Sequence, residues 1–243
     1  MKRRLFALVL VLLLPEAAQA ADKRFTLSPF DKVRIEGDVA VEIRSGAAPF
    51  AVASGDPRAL ESLSMRVQGG TLYIRRARTS QPTERRYRPK APEALPLVRL
   101  DARSVQSLTL LGHGSAKIDA LSGARPSATM DGNGSVEIGA VAAEALSLNV
   151  NGSGSLKIGG KAASARAVML GDGLIEGMGL ALGALELIGE GPVRAKLSVA
   201  GPARISVKGG ADIAIGGTPQ CTVRQTGANA ILCGAAEIAA AAR

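Results

Sequence analysis

Apolar and polar residues alternate through residues 104–233, and a glycine turn interrupts the alternation about every 20 residues. ATMDGNGSVEI (128–138) and LNVNGSGSLKI (148–158) show the pattern, apolar-x-apolar on both sides of the turn. Alternation with a period of two is typical of a β-strand, and a sustained repeat of this length is typical of a solenoid. The pattern therefore predicts an all-β fold, a single-stranded parallel β-helix with one coil, or rung, per repeat. The first glycines of the turns are Gly112, Gly132, Gly152, Gly171, Gly189, Gly209 and Gly227.

Four positions, counted from these glycines, are apolar in almost every repeat: the second and fourth before, and the fourth and sixth after. We expect them to form inward columns, with Val136, Leu156 and Ile175 directly above one another. The fifth position after the glycine points outward and alternates in sign. Because neighbouring parallel strands lie about 4.8 Å apart, we expect opposite charges to face each other there. This predicted ladder consists of Lys117, Glu137, Lys157, Glu176 and Arg194.

Residues 1–20 have the features of a secretory signal peptide. A basic start precedes an apolar run, and Ala18-Gln19-Ala20 follows it, so we expect cleavage after Ala20. The run is too short to span a bilayer. The sequence therefore predicts an exported chain, periplasmic or at the cell surface, with no transmembrane segment after cleavage.

The exported part is predicted to be one β-helix domain over residues 21–235. Residues 25–75 show the same alternation less regularly, around Gly37 and, one residue short, around Gly69-Gly70, and predict irregular first rungs with their cap. A separate N-terminal domain is the alternative. PFAVAS (49–54) is a strand candidate, and Asp56-Pro57 predicts the start of a short capped helix. Residues 75–96 form a basic loop, 97–233 the regular rungs, and the Ala-rich tail 236–243 a capping helix or a frayed end.

Both cysteines of the chain fall on inward columns of the last rung. In an exported protein Cys221 and Cys233 are expected to form a disulfide. It would pin the open end of the stack, and loop-closure arithmetic gives it about 3 kcal/mol. The alternative is a pair of unpaired buried thiols.

A basic segment interrupts the repeats, and the whole chain has a formal net charge of +9. Such a segment suits contact with an anionic envelope polymer or an anionic lipid surface. A solvated loop between rungs is the alternative. Export disfavours nucleic acid as a partner, and the sequence does not indicate an oligomeric state. The candidate contact residues are Arg75, Arg76, Arg78, Arg85, Arg86, Arg88 and Lys90.

Several features together resemble the autotransporter adhesin head GIN domain family of bacterial envelope proteins. They are the predicted signal peptide, the segments FDKVRIEGDVAVEI and MRVQGGTLYI, and the repeated NGSGSLKI-like turns. The resemblance covers residues 25–235. It implies a β-helix-like fold with a right-handed coil and an exported location, and it supplies no catalytic residues. The basic insertion and the cysteine pair depart from the family's usual pattern.

Reactive groups are sparse. His113 stands alone at a turn tip, without companions for a triad or a metal site. Asp172 and Glu190 occupy the same turn position in the assigned repeats, so they are predicted about 5 Å apart, as in a two-carboxylate glycosidase site. Nothing apolar flanks them to raise a pKa. We therefore expect no catalytic, cofactor or metal site, and a non-enzymatic, adhesin-like or ligand-binding domain. A polysaccharide-active enzyme and a structural assembly module are the alternatives.

Overall fold

The computed structural model describes residues 21–46, 48–77, 95–234 and 236–238. The predicted signal peptide and most of the basic loop lie outside these residues. The described part forms one 19-stranded sheet and a short helix. In chain order the elements are β1 (Ala21–Thr26), β2 (Lys32–Glu36), β3 (Ala40–Ser45), β4 (Phe50–Gly55), α1 (Pro57–Glu61), β5 (Leu63–Gln68), β6 (Thr71–Arg76), β7 (Leu97–Ala102), β8 (Ser107–Gly112), β9 (Ser115–Ser122), β10 (Ser127–Gly132), β11 (Ser135–Asn151), β12 (Ser155–Leu170), β13 (Leu174–Glu190), β14 (Val193–Val199), β15 (Pro202–Lys208), β16 (Ala211–Gly217), β17 (Gln220–Thr226), β18 (Asn229–Cys233) and β19 (Ala236–Ile238).

The sheet coils into a β-solenoid of about six turns whose strands stack in parallel. One stack, stack A, contains β2, β8, β10, the second halves of β11 to β13, β15 and β17. The other, stack B, contains β3, β9, the first halves of β11 to β13, β14, β16 and β18. Val136 lies opposite Leu156, and Leu156 opposite Ile175. The predicted fold class and the vertical alignment of this column are confirmed.

The predicted inward columns form the core. Val136, Leu156 and Ile175 are at most 3% exposed, and burial continues along the coil until the last rung, where Val223 is only partly buried. Two further columns lie beyond the bend of each rung, where the register shifts after Ile138. The column through Val141 was missed because it lies nine residues after the glycine of its turn, out of phase with the predicted columns. The column through Leu146 keeps the phase, six residues before Gly152, but it lies outside the four positions counted around each glycine. One column contains Leu121, Val141, Gly160 and Leu180, and the other contains Leu146, Ala165, Leu185 and Ala203.

The corner glycines are required by the backbone. Gly152 has φ +107°, and a Cβ placed on it would lie far inside van der Waals distance of the Gly132 carbonyl oxygen on the rung below. A side chain is disfavoured there both by the left-handed conformation and by the close stacking of turns.

The fifth turn differs from its prediction. Gly191, not Gly189, stacks on Gly171, while Gly189 lies opposite Met169 in an inward column. Gly189-Glu190-Gly191 has the same G-x-G sequence as the earlier turns, but its first glycine lies two residues before the corner glycine, Gly191. A Cβ on Gly189 would contact Val193, so the small residue relieves crowding in the core. Every outward residue of β14 is therefore shifted by two positions from its predicted partner.

The N-terminal strands form a mixed, nearly closed barrel. The rung β2–β3 lies between two later parts of the chain: β2 pairs with β6 and β8, and β3 with β7 and β9. The segment around Gly69-Gly70 is an antiparallel β5–β6 hairpin, not a shortened rung as predicted, because both glycines have positive φ, +57° and +72°. β4 covers the predicted strand 49–54 almost entirely and pairs antiparallel with β1 and β7. Asp56 caps α1 as expected, its Oδ1 accepting from Arg58 N at 2.9 Å.

The C-terminal end is closed covalently. Cys221 of β17 and Cys233 of β18 form the predicted disulfide, with a Cα–Cα distance of 6.4 Å. It joins the last strand of stack A to the last parallel strand of stack B. The tail was expected to be helical or frayed, but residues 236–238 form β19, antiparallel to β18. The tail thereby satisfies backbone groups of the final strand that a helix would have left without a sheet partner.

Candidate binding surface

An alternating charge ladder runs along the outward face of stack B. The register places its members on successive strands in the order Arg99, Glu42, Lys117, Glu137, Lys157, Glu176 and Lys196. Arg99 Nε is 3.6 Å from Glu42 Oε2, and Lys117 Nζ is 3.3 Å from Glu137 Oε1. The predicted ladder is correct from Lys117 to Glu176. Its last predicted member, Arg194, was wrong because of the two-residue shift, and Lys196 takes that place.

Besides Lys196, two N-terminal ladder members were missed by sequence reasoning. Arg99 and Glu42 belong to the N-terminal strands, whose spatial order differs from their order in the chain. The phase around Gly37, shared with the later turns, marks Glu42 as outward, but nothing in the sequence indicates that β3 is inserted between β7 and β9.

The ladder forms a regular surface with little net field. Its four basic and three acidic members leave one positive charge, and both side chains of the Lys117–Glu137 pair are about half exposed. Exposed pairs of this kind contribute at most about 1 kcal/mol each. A serine column of Ser115, Ser135 and Ser155 runs beside it in register. The ladder and serine column border a shallow depression of about 400 Å³.

The predicted carboxylate pair is not assembled. Glu190 lies opposite Leu170, not at the turn position of Asp172. Asp172 Oδ1 is 3.3 Å from Arg194 Nη2, and Glu190 Oε1 is 3.9 Å from Lys208 Nζ. The prediction was wrong for the same reason as the ladder's end: the glycine of the fifth turn had been misassigned. Each carboxylate instead continues a rung-to-rung ion pair.

The turn tips form a polar column without the geometry of a metal site. His113 Nδ1 lies 3.5 Å from Asp38 Oδ1, and Ser153 Oγ donates to Asn133 Oδ1 at 2.8 Å. Among the described residues, no three His, Cys, Asp or Glu side chains lie close enough together to hold a metal ion. The polar turn residues therefore bond to the neighbouring rung.

Of the seven basic candidate residues, Arg75 and Arg76 lie in the described part of the chain. Arg75 Nε is 2.6 Å from Glu36 Oε2, and Arg76 Nη1 donates to the Asp38 carbonyl oxygen at 3.1 Å. The hydrogen bond from Arg34 holds the pKa of Glu36 below its ordinary value, against the effect of partial burial and with help from Arg75. Arg75 is thus bound to β2, and Arg76 to the turn between β2 and β3. The other candidates, Arg78, Arg85, Arg86, Arg88 and Lys90, lie outside the described residues.

In the portion of the chain that the structure describes, no helix has the length and apolar character needed to cross a membrane.

The coiled architecture and the glycine corners agree with a known family. Residues 29–219 match the family described as "Putative auto-transporter adhesin, head GIN domain". The chain belongs to this family. The family match contains all the strands from β2 to β16, and therefore every member of the ladder. No curated protein matches the sequence.

Solved structures share the GIN-domain fold at low sequence identity. A "putative adhesin" from Bacteroides fragilis is 17% identical, with a TM-score of 0.76, over 89% of this chain and 97% of that one. A "Putative lipid binding protein" from Parabacteroides distasonis is 16% identical, with a TM-score of 0.66, over 88% and 96%. A "putative adhesin" from Parabacteroides merdae is 14% identical, with a TM-score of 0.60, over 88% and 95%. These likenesses show the fold alone.

Proposed function

We propose that this GIN-domain protein is an exported, non-enzymatic β-helix domain of the bacterial cell envelope that binds an anionic envelope polymer or lipid surface in the manner of an adhesin. The continuous ladders of outward side chains favour an extended ligand, and the chain's excess of basic residues, a formal net charge of +9, favours an anionic one. Stacked rungs hold these side chains at a fixed spacing of about 4.8 Å along a straight line. A rigid linear array suits contact with an extended ligand or surface.

Several features support the exported location. The disulfide between Cys221 and Cys233 is typical of proteins that fold in an oxidising compartment. The predicted leader over residues 1–20 also favours export. The family description and the adhesins of the same fold support a location in the cell envelope. Because one structure of this fold is named a lipid binding protein, lipid surfaces are included among the ligands to test.

Binding of the purified protein to envelope material tests the proposal. We expect retention at low salt on immobilised acidic envelope polysaccharide or on vesicles containing anionic lipid, and loss of retention as salt screens the charges. Neutral vesicles and a neutral polysaccharide serve as controls. Absence of retention on every anionic material at low salt would contradict the proposal.

The enzyme alternative has a separate test. A glycan-cleaving site needs one carboxylic acid and one carboxylate on either side of the bond, whereas Asp172 and Glu190 are each paired with a cation. We expect no new reducing ends or unsaturated products from a panel of acidic glycans. Turnover that disappears in Asp172→Asn would refute the non-enzymatic proposal.

The edge of β17 motivates an assembly alternative. Among the described strands, β17 pairs with β15 on one side and has no sheet partner on the other. An unpaired edge is a ready site for a further strand. Size-exclusion chromatography with light scattering tests this alternative. A monomer at high concentration would exclude assembly through the β17 edge, whereas a concentration-dependent oligomer would support it.

A further inference from the structure

Arginines recur on every second rung along stack A. Arg166 and Arg204 lie two strands apart, with Glu186 in register between them. Arg125 precedes them by the same interval: Ala145 N donates to the Ala124 carbonyl oxygen, which places Arg125 opposite Ala145, and Ala145 is opposite Ser164 of the Arg166 rung. Successive arginines are therefore about 10 Å apart along the coil axis, and Arg125 lies two residues, about 7 Å, to the side of the column that holds Arg166 and Arg204.

These arginines border a groove of about 370 Å³ that runs across the rungs. Its floor consists of the half-buried residues Ala145, Ser164 and Ala184, which lie in register on three successive strands, and Pro202 lies at one end. Because the floor side chains are small, the groove stays open along the axis instead of being filled by the protein.

The groove has a net positive charge, and two of its three arginines have no ion-pair partner among the described residues. Arg166 Nη1 donates to Glu186 Oε2 at 2.6 Å. The side chains of Arg125 and Arg204 are exposed and form no hydrogen bond or ion pair with the described residues. Three arginines face one glutamate here, unlike the nearly balanced ladder of stack B.

We propose that this groove binds a linear acidic polysaccharide that carries one carboxylate on every second sugar and lies along the coil axis. The inference rests on the proposed function and names its ligand class. A guanidinium presents a planar fork of donors that matches a carboxylate. An extended sugar chain advances by about one strand spacing per sugar, so carboxylates on alternate sugars meet arginines on alternate rungs. A flat membrane surface has no element that enters the groove.

Hyaluronan octasaccharide, which has a carboxylate on alternate sugars, is the probe for fluorescence anisotropy with the purified protein at low salt. Dextran oligosaccharide serves as the neutral control. We expect saturable binding to hyaluronan and about a tenfold loss of affinity in Arg125→Ala/Arg204→Ala. Arg58→Ala/Arg66→Ala removes the same charge from exposed positions outside the groove, and we expect its affinity to stay close to that of the unmodified protein. Glu186→Gln is expected to raise affinity, because it removes the acid and releases Arg166.

The outcomes separate this inference from the function on which it rests. Equal losses in the two double variants, with circular dichroism showing both folded, would mean that net charge drives binding and would overturn the groove. Binding to anionic vesicles but not to hyaluronan would overturn the proposed occupant. The general function would stand in both cases, and it fails only if no anionic material is bound. An unchanged or lower affinity of Glu186→Gln would also count against the groove.

Discussion

Three glycine-to-alanine substitutions separate two contributions to the stability of the turns. Gly152 combines a left-handed φ of +107° with a Cβ position too close to the Gly132 carbonyl oxygen. Gly112 has a similar φ, +112°, but its Cβ would lie 3.5 Å from the nearest atoms of Gly37, an ordinary contact. Gly179 has no left-handed φ, and its Cβ would meet only the Gly159 Cα, at 3.9 Å. The series therefore isolates the backbone penalty and then adds the steric one.

The magnitudes follow from these geometries. Gly179→Ala is expected to be neutral or to stabilise the protein by up to about 1 kcal/mol, because alanine restricts the unfolded chain. Gly112→Ala is expected to cost about 1–2 kcal/mol for the left-handed conformation. Gly152→Ala is expected to cost about 3 kcal/mol or more, since the stacked turns must also separate against their hydrogen bonds.

Urea denaturation followed by circular dichroism at strand wavelengths measures all three variants beside the unmodified protein. The order of midpoints should be Gly179→Ala highest, Gly112→Ala intermediate and Gly152→Ala lowest. Equal costs for Gly112→Ala and Gly152→Ala would refute the argument from close stacking. A comparable cost for Gly179→Ala would refute the argument from positive φ as well.

Other perturbations test the core, the disulfide and one ion-pair cluster. Leu156→Ala should lower the free energy of unfolding by about 2–5 kcal/mol, whereas Met178→Ala at an exposed position should change the urea midpoint little. Cys221→Ser, or reduction, should cost about 3 kcal/mol by the same assay; an unchanged midpoint would mean that the last rung closes without its disulfide. Because the folded-state pKa of Glu36 is lowered from 4.5, its contribution is fully present above that pH and is lost as pH falls through the folded value. Glu36→Gln should therefore lower the midpoint at pH 7 but not at a pH below the folded pKa, and an equal loss at both would contradict this.

The inward half of the fold was predictable from sequence because burial imposes one strict rule. Positions such as Leu148 and Ile205 must be apolar on every rung, and the period of two is visible without knowledge of which strand pairs with which. The glycine corners add a second marker, since only glycine tolerates both the conformation and the stacking. The column through Val141 was missed because the bend puts it out of that phase, whereas the column through Leu146 keeps the phase but lies beyond the four positions counted around each glycine.

The N-terminal architecture was only partly predictable, because its pairing is not sequential. The apolar phase of β2 and β3 was correct, but β6 and β7, which come later in the chain, form the rung on their outer side. A local pattern reports which face of a strand is buried and not which strand lies beside it. The hairpin at Gly69-Gly70 was the one local signal for a reversal there, since two adjacent glycines suit a two-residue antiparallel turn.

The candidate surface was less predictable than the core for a geometric reason. Side chains alternate with a period of two, so an error of two residues leaves every side chain on its correct face. The misassigned turn at Gly189 therefore cost nothing in the prediction of buried residues. The same error exchanged Lys196 for Arg194 in the ladder and set Asp172 beside Glu190 in a carboxylate pair that does not exist. Binding depends on which outward residues are neighbours, and hence on the absolute register of each rung. In a solenoid of this kind, the alternation of apolar and polar residues is enough to predict the fold. The ligand-binding surface can be predicted only when the corner residue of every turn is known.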